Sequence, residues 1–326
     1  MTTAVGLIAP EISEALEEIE VAEGGLTAVV GHEELDAKTP GDLAKKLGGL
    51  FYQNLHAGMK DQGDSTRQRS LRDDDFDQRL FAAMPHRTTR VQATVLSDVP
   101  EADSVIVRLD GLRVRIPRDR IGDRLPGPDS DLVTLLIPAP RPALSTGFFL
   151  TDASRGRVTG SQMLRLYIHL TDAESAPDVW GTVLSRMEEL ELRYRAKVTS
   201  SLKHFPRRDA LVVYLGPDAW HAAGDIAAAV QGLSGLGTTT SPFVRRLADG
   251  VGTAWEPDDP RPGKGALSFG EHRCQVLAEA LVGHAVRADG VSREAVVAEA
   301  FLNAGTDPLM PARNLDSPVL PGIGLA

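Results

Sequence analysis

The segment Leu164-Arg165-Leu166-Tyr167-Ile168-His169-Leu170 alternates apolar and polar residues without a break. A period of two is the signature of a β-strand with one buried face. Leu164, Leu166, Ile168 and Leu170 then share the core face, and Arg165, Tyr167 and His169 share the other. The second face carries a guanidinium, a phenol and an imidazole, so the strand is expected to carry chemistry as well as packing.

Other segments surround this strand with a mixed architecture. Residues 210–215 are apolar throughout and read as a buried strand opened by Asp209. Val105, Val107 and Leu109 face Leu112, Val114 and Ile116 across Asp110-Gly111, a hairpin signature. A further strand is expected at 132–137, within a stretch rich in proline and glycine at 117–147. Helical spacing is found at 11–22, 39–60, 176–192, 218–231, 269–288 and 292–304, with Thr39-Pro40-Gly41-Asp42 as a start signal for the second of these. Residues 61–75 are polar and read as an exposed loop, and 232–267 as a turn-rich connection. With no regular βαβ rhythm, the expectation is an α+β fold: a mixed or antiparallel sheet flanked by helices. A mainly helical region at 1–90 leads into a core at 91–326, the two expected to form one continuous domain, and no internal repeat is visible.

At 326 residues and 42% hydrophobic, the chain has ample material for a core. No apolar run approaches the roughly 20 residues of a membrane span, and no signal-peptide pattern opens the chain, so a cytoplasmic protein with no membrane partner is expected. The single cysteine, Cys274, excludes an internal disulfide and reads as a small buried apolar group. Eight scattered histidines supply no zinc-like spacing, and no metal site is expected. A net charge of -10 argues against nucleic acid as a partner.

Against that acidity, residues 193–208 hold six Lys or Arg and no acid. The cluster is too short for a nucleic-acid surface but suits one or a few phosphates. Gly232-Leu233-Ser234-Gly235-Leu236-Gly237 lacks the order of a dinucleotide loop and the lysine of a P-loop, and reads as a turn. Kinase signatures are absent.

Six short motifs occur in an order that resembles HopA-type bacterial effector-like proteins. They are Phe51-Tyr52-Gln53-Asn54-Leu55-His56-Ala57-Gly58, Met84-Pro85-His86, Arg165-Leu166-Tyr167, Arg207-Arg208-Asp209-Ala210 onward to Tyr214, Pro242-Phe243 onward to Gly252, and Ser268-Phe269-Gly270-Glu271-His272-Arg273. The resemblance spans about residues 45–315, and 268–273 is its most specific segment. The stretch at 305–311 matches only loosely the family's Pro-Tyr ending. Members of that family serve as the lyase component of class V lanthipeptide synthetases. The resemblance thus implies elimination of phosphate from phosphoserine or phosphothreonine in a ribosomal precursor peptide, leaving dehydroalanine or dehydrobutyrine. A separate peptide kinase would supply the phosphate.

Such an elimination needs a base for the Cα proton, cations for the developing charge and the phosphate, and an acid for the departing oxygen. It requires neither metal nor cofactor. Lys197 is the expected base, because neighbouring cations favour a neutral amine and Arg193, Arg195, Lys203, Arg207 and Arg208 lie close in sequence. Arg165 and Arg208 are the expected phosphate clamps, joined by Arg207, Tyr214 and Arg245, with Arg246 and Tyr167 alongside. His56 and His169 are alternative acids. His272, at the start of a helix, either binds an anion or anchors that helix, with anchoring the favoured reading. The alternative function is a non-catalytic phosphopeptide-binding protein or a scaffold that holds the kinase to its peptide.

Overall fold

The computed structural model describes residues 6–59, 72–124, 131–158, 160, 162–287 and 290–325. It is an α+β protein with antiparallel sheets. The main sheet has seven strands: β9 (Pro140–Ser145), β10 (Phe148–Asp152), β11 (Leu164–Leu170), β12 (Tyr194–Thr199), β13 (Arg207–Leu215), β14 (Arg245–Ala248) and β15 (Val251–Trp255), in the order β14-β15-β11-β13-β12-β10-β9. The alternating segment 164–170 and the apolar run 210–215 therefore lie side by side at its centre, Arg165 opposite Tyr214 and Tyr167 opposite Val212.

Helices cover both faces of this sheet. On one face α4 (Ala176–Glu189) buries Val179, Trp180, Val183, Leu184 and Met187, and Trp180 meets Phe149 of β10 edge to face, 6.3 Å between ring centres. On the other, α2 (Pro40–Phe51) packs against α6 (Phe269–Val286), whose first residue Phe269 stacks on Tyr167 of β11 at 5.7 Å. The expected start of α2 is realised: Thr39 Oγ1 accepts from the Asp42 amide and Pro40 occupies the first turn. Ser268 opens α6 with a full capping box to Glu271, an arrangement that satisfies two otherwise orphaned amides. Short helices α1 (Pro10–Leu16), α3 (Asp74–Ala83) and α5 (Ala223–Ala229), with α7 (Arg293–Asn303), complete the helical shell.

A separate five-stranded sheet holds β4 (Thr88–Val99), β5 (Ser104–Leu109), β6 (Leu112–Pro117), β7 (Ile121–Arg124) and β8 (Leu132–Pro138). The β5–β6 hairpin turns at Asp110 and Gly111, both with positive φ, as the Asp-Gly pair demands. This sheet has its own small core of Ala93, Val105, Val107, Val133 and Leu135.

Three expectations change. The helix expected at 11–22 ends at Leu16, and the chain then forms a three-stranded sheet, β1 (Ile19–Val21), β2 (Thr27–Val30) and β3 (Glu33–Asp36). The expected exposed loop at 61–75 lies outside the described residues as far as 71, and its last two residues begin α3. The stretch at 232–267 carries β14 and β15, where Val251, Ala254 and Trp255 bury completely or nearly so against β11; short strands with few apolar residues have too little periodicity to stand out among glycines.

Candidate functional site

The registers of the sheet decide which side chains meet. Arg195, Tyr214 and Arg165 form one row across β12, β13 and β11, and Lys197, Val212 and Tyr167 the next. All six share the face on which Phe148 and Leu150 of β10 also stand. Lys197 lies in the middle of β12, not at a strand end.

Two aromatic rings organise the cations. The Lys197 ammonium is 4.3 Å from the centre of the Phe148 ring, and the Arg207 guanidinium carbon is 5.4 Å from the same point. Lys197 Nζ is 5.9 Å from the Tyr214 ring and Arg165 Cζ 4.9 Å from it. Each ring thus faces the lysine and one arginine, a cation–π arrangement that draws like charges together. Among the described residues Lys197 forms no ion pair, and Lys197, Phe148 and Tyr214 remain partly open to solvent.

The arginines are held by carboxylates. Glu256, just beyond β15, grips Arg165 through both carboxylate oxygens, and Arg165 Nη1 reaches the Tyr167 hydroxyl at 3.5 Å. Burial opposes the charge on Arg165, but Tyr167, Tyr214 and Glu256 outweigh it and raise its pKa. Arg207 donates from Nε to Asp209 Oδ1 at 2.5 Å and from Nη2 to Oδ2 at 3.0 Å and to the Tyr52 hydroxyl at 2.8 Å. Tyr52 in turn donates to Asp209 Oδ2 at 2.9 Å. Burial works against the Asp209 carboxylate, yet Arg207, His56 and Tyr52 hold its pKa well below the usual range.

His56 forms the back wall. It sits on a π-helical turn, Tyr52–Ala57, that extends α2 and sets its ring 5.4 Å from that of Tyr52; such wide turns recur at functional sites. The ring is buried against Tyr167 and Phe269, shares a hydrogen bond with Ser241 Oγ at 3.1 Å through Nδ1, and places Nε2 3.8 Å from Asp209. Burial above all, with Arg207, Arg165 and Arg208 nearby, lowers its pKa to about 4. The ring is therefore neutral at pH 7. Gly270 makes room for it: a Cβ there would stand 2.1 Å from His56 Cδ2.

The expected phosphate clamps fall on two sides of this wall. Lys197, Arg165, Arg207 and Tyr214 form the group described above. Arg208 and Arg245 instead line a cavity of about 1220 Å³ together with Thr239, Ser241, Glu14 and Glu18. Arg208 donates to the Leu55 carbonyl and to Thr239 Oγ1, and His169 Nδ1 donates to the Thr239 carbonyl at 3.0 Å. Arg208, Arg245 and His169 thus group on the cavity side. The β11–β13 register shifts between Ile168 and Leu170, opposite Arg207, and Arg208 and His169 both anchor on Thr239. Burial lowers the pKa of His169 as well. Arg246 is exposed and paired with Asp249.

The 268–273 motif is structural. His272 Nε2 donates to Asp259 at 2.8 Å while its Nδ1 accepts from Arg273, and Arg273 also donates to Pro311 O and Asn314 Oδ1. His272 is the anchor expected of it. Cys274 is buried, which raises its thiol pKa. Sequence reasoning missed Phe148, Glu256 and Tyr52; Glu256 meets Arg165 across 91 positions, and no local pattern announces such a pair.

The family model for the HopA1 effector protein family matches residues 139–313. Among solved structures, the effector protein from Pseudomonas syringae pv. tomato strain DC3000 is 15% identical, with 84% of this chain and 95% of that one covered at a TM-score of 0.46. The effector protein from Pseudomonas syringae pv. syringae strain 61 is 14% identical, with 84% and 96% covered at 0.44. No curated protein matches. The matched span runs from the edge strand β9 through α7 and takes in Lys197, Arg165, Arg207 and both rings between them; the chain belongs to the HopA1 effector protein family.

Proposed function

We propose that this chain is a phosphopeptide lyase that eliminates phosphate from phosphoserine or phosphothreonine of a precursor peptide, phosphorylated beforehand by a separate kinase. One observation carries the reading: an ammonium without a carboxylate partner among the described residues shares two aromatic rings with two buried guanidiniums on a half-open sheet face. Lys197 Nζ takes the Cα proton. The electron pair of that bond forms the Cα–Cβ double bond, and the Cβ–O bond breaks with its pair leaving on phosphate.

Arg165 and Arg207 neutralise the phosphate and the enolate-like charge; their carboxylate partners keep both forks fixed before substrate arrives. The acid role goes to neither expected histidine. His56 is neutral and walled in, and His169 stands on the cavity side with Arg208. A phosphate ester leaves as an anion whose charge two guanidiniums meet directly, so no proton donor is required of them. The test is incubation with a phosphothreonine peptide and mass analysis: loss of phosphoric acid supports the reading, and an unchanged peptide, with its leader and kinase present, overturns it.

A second reading draws on the bidentate Glu256–Arg165 and Asp209–Arg207 pairs. Clamps already satisfied by carboxylates suit a protein that holds a phosphopeptide, or docks a kinase to it, without turnover. Tight binding without elimination would mark it.

A further inference from the structure

Beside Lys197 the same sheet face carries a second concentration of positive charge. Asp152 ends β10, fully buried. Its Oδ1 accepts from Arg195 Nε at 2.8 Å, and its Oδ2 lies 3.3 Å from Arg141 Nε and 3.6 Å from Arg157 Nε. Three guanidiniums therefore converge on one carboxylate, and among the described residues only Arg157 has another, the exposed Asp110 at 2.7 Å. Arg141 Nε, Arg141 Nη2 and Arg157 Nε are shielded from water and form no hydrogen bond among the described residues, and neither does Asp152 Oδ2, which they approach as ion pairs only. A buried donor left without an acceptor is costly, and an ion cluster with surplus positive charge more so. Three guanidiniums against the carboxylates of Asp152 and Asp110 leave the cluster with one positive charge in excess.

The cluster is also reachable and in register with the lysine. The Arg141, Arg157 and Arg195 side chains are 22%, 26% and 32% exposed. Arg195 stands two residues from Lys197 on the same face of β12, a separation of about 7 Å. Arg141, Leu150 and Lys197 lie in line across β9, β10 and β12, which sets Arg141 about 10 Å away. An extended peptide advances about 3.3 Å per residue, so a side chain two positions from the reacting residue spans the same interval.

We propose that Arg141, Arg157 and Arg195, gathered on Asp152, form an anion subsite that recognises an acidic side chain of the substrate peptide two positions from the phosphorylated residue. The proposal rests on the phosphopeptide reading of Lys197 and names the class of peptide it takes. Inorganic phosphate alone engages only the Arg165 and Arg207 clamps in this scheme. The carboxylate docks on the second cluster without any covalent change.

Two phosphothreonine peptides, identical except for Glu or Gln at both positions two residues from the phosphothreonine, test it. Their affinities are measured by calorimetry on the Lys197→Ala protein, which holds substrate without turning it over, and their elimination rates on the unsubstituted chain. The Glu peptide is expected to bind about tenfold more tightly, the yield of one charge-assisted hydrogen-bond set. Arg141→Gln and, separately, Arg157→Gln erase that preference while leaving elimination from the Gln peptide unchanged; the peptide comparison on unaltered arginines stands even if one variant fails to fold. Equal affinity for the two peptides overturns the subsite, whether or not elimination occurs. A tenfold preference with no elimination from either peptide supports the subsite and overturns the lyase reading alone, and binding of neither peptide overturns both.

Discussion

Lys197 and Arg207 approach one phenyl ring, that of Phe148, at 4.3 and 5.4 Å. Ten positions apart in sequence and on different strands, they are brought to a common ring by the register of β10 on β12 and by the hydrogen bonds that tie Arg207 to Asp209 and Tyr52. The ring gives the two cations an attractive surface in place of mutual repulsion. A base and a phosphate clamp held this way have different duties, and substitutions separate them.

Lys197→Ala is expected to lower elimination by at least about a hundredfold, the lower range for loss of a general base. Phosphopeptide affinity should change only a few-fold, because the arginines hold the phosphate. Mass-detected turnover and calorimetry on the same preparation check both halves; normal elimination would move the base elsewhere, with Lys203 the next candidate.

Glu256→Gln removes the carboxylate that now occupies Arg165. Inorganic phosphate should then bind several-fold more tightly, since it no longer competes with a bidentate anion. Turnover should fall, because the guanidinium loses its fixed orientation. Weaker phosphate binding by this variant would show that Glu256 supports the clamp in the ground state instead of competing for it.

Gly270→Ala is expected to destabilise the protein by about 1–3 kcal/mol, the usual cost of overpacking. The new methyl would stand 2.1 Å from the buried His56 ring, which is pinned by Tyr167, Phe269 and Ser241 and has nowhere to turn. Urea denaturation midpoints measure the effect. Relief of the loss by His56→Ala in the same chain would locate the clash.

Acid should unfold the protein in a defined window. His56 and His272 each have a folded-state pKa of about 4 against an ordinary 6.5, both chiefly because burial disfavours the charged ring. Above pH 6.5 each ring is neutral in both states and its full contribution is present. Between 6.5 and 4 the unfolded chain takes up protons that the native state refuses, so stability falls as pH falls, by up to about 3 kcal/mol per ring. Denaturation midpoints across pH 7 to 4 should show this decline. His272→Gln should be less stable at pH 7 yet decline about half as steeply.

The local chemistry of the chain was enough to place its central strands. Strict alternation at 164–170 and the apolar run at 210–215 identify β11 and β13 because burial of one face, or of both, is written directly into residue order. The Asp-Gly hairpin and the Thr39 cap were equally plain, since each depends on neighbours within a few residues. The same alternation set Arg165 and Tyr167 on one face, and the density of cations at 193–208 pointed to Lys197 and Arg207. Tertiary structure alone decided the rest. Whether Arg208 joins Arg207 at the lysine or turns to the neighbouring cavity depends on a bulge and on Leu55 and Thr239, far away in sequence. The partners of the site's arginines, Glu256 just beyond β15 for Arg165 and Asp152 at the end of β10 for Arg195, are placed by pairing registers that the whole sheet fixes. Charge density is a property of a segment, but the direction of a charged side chain and the ion that answers it are set by packing between segments.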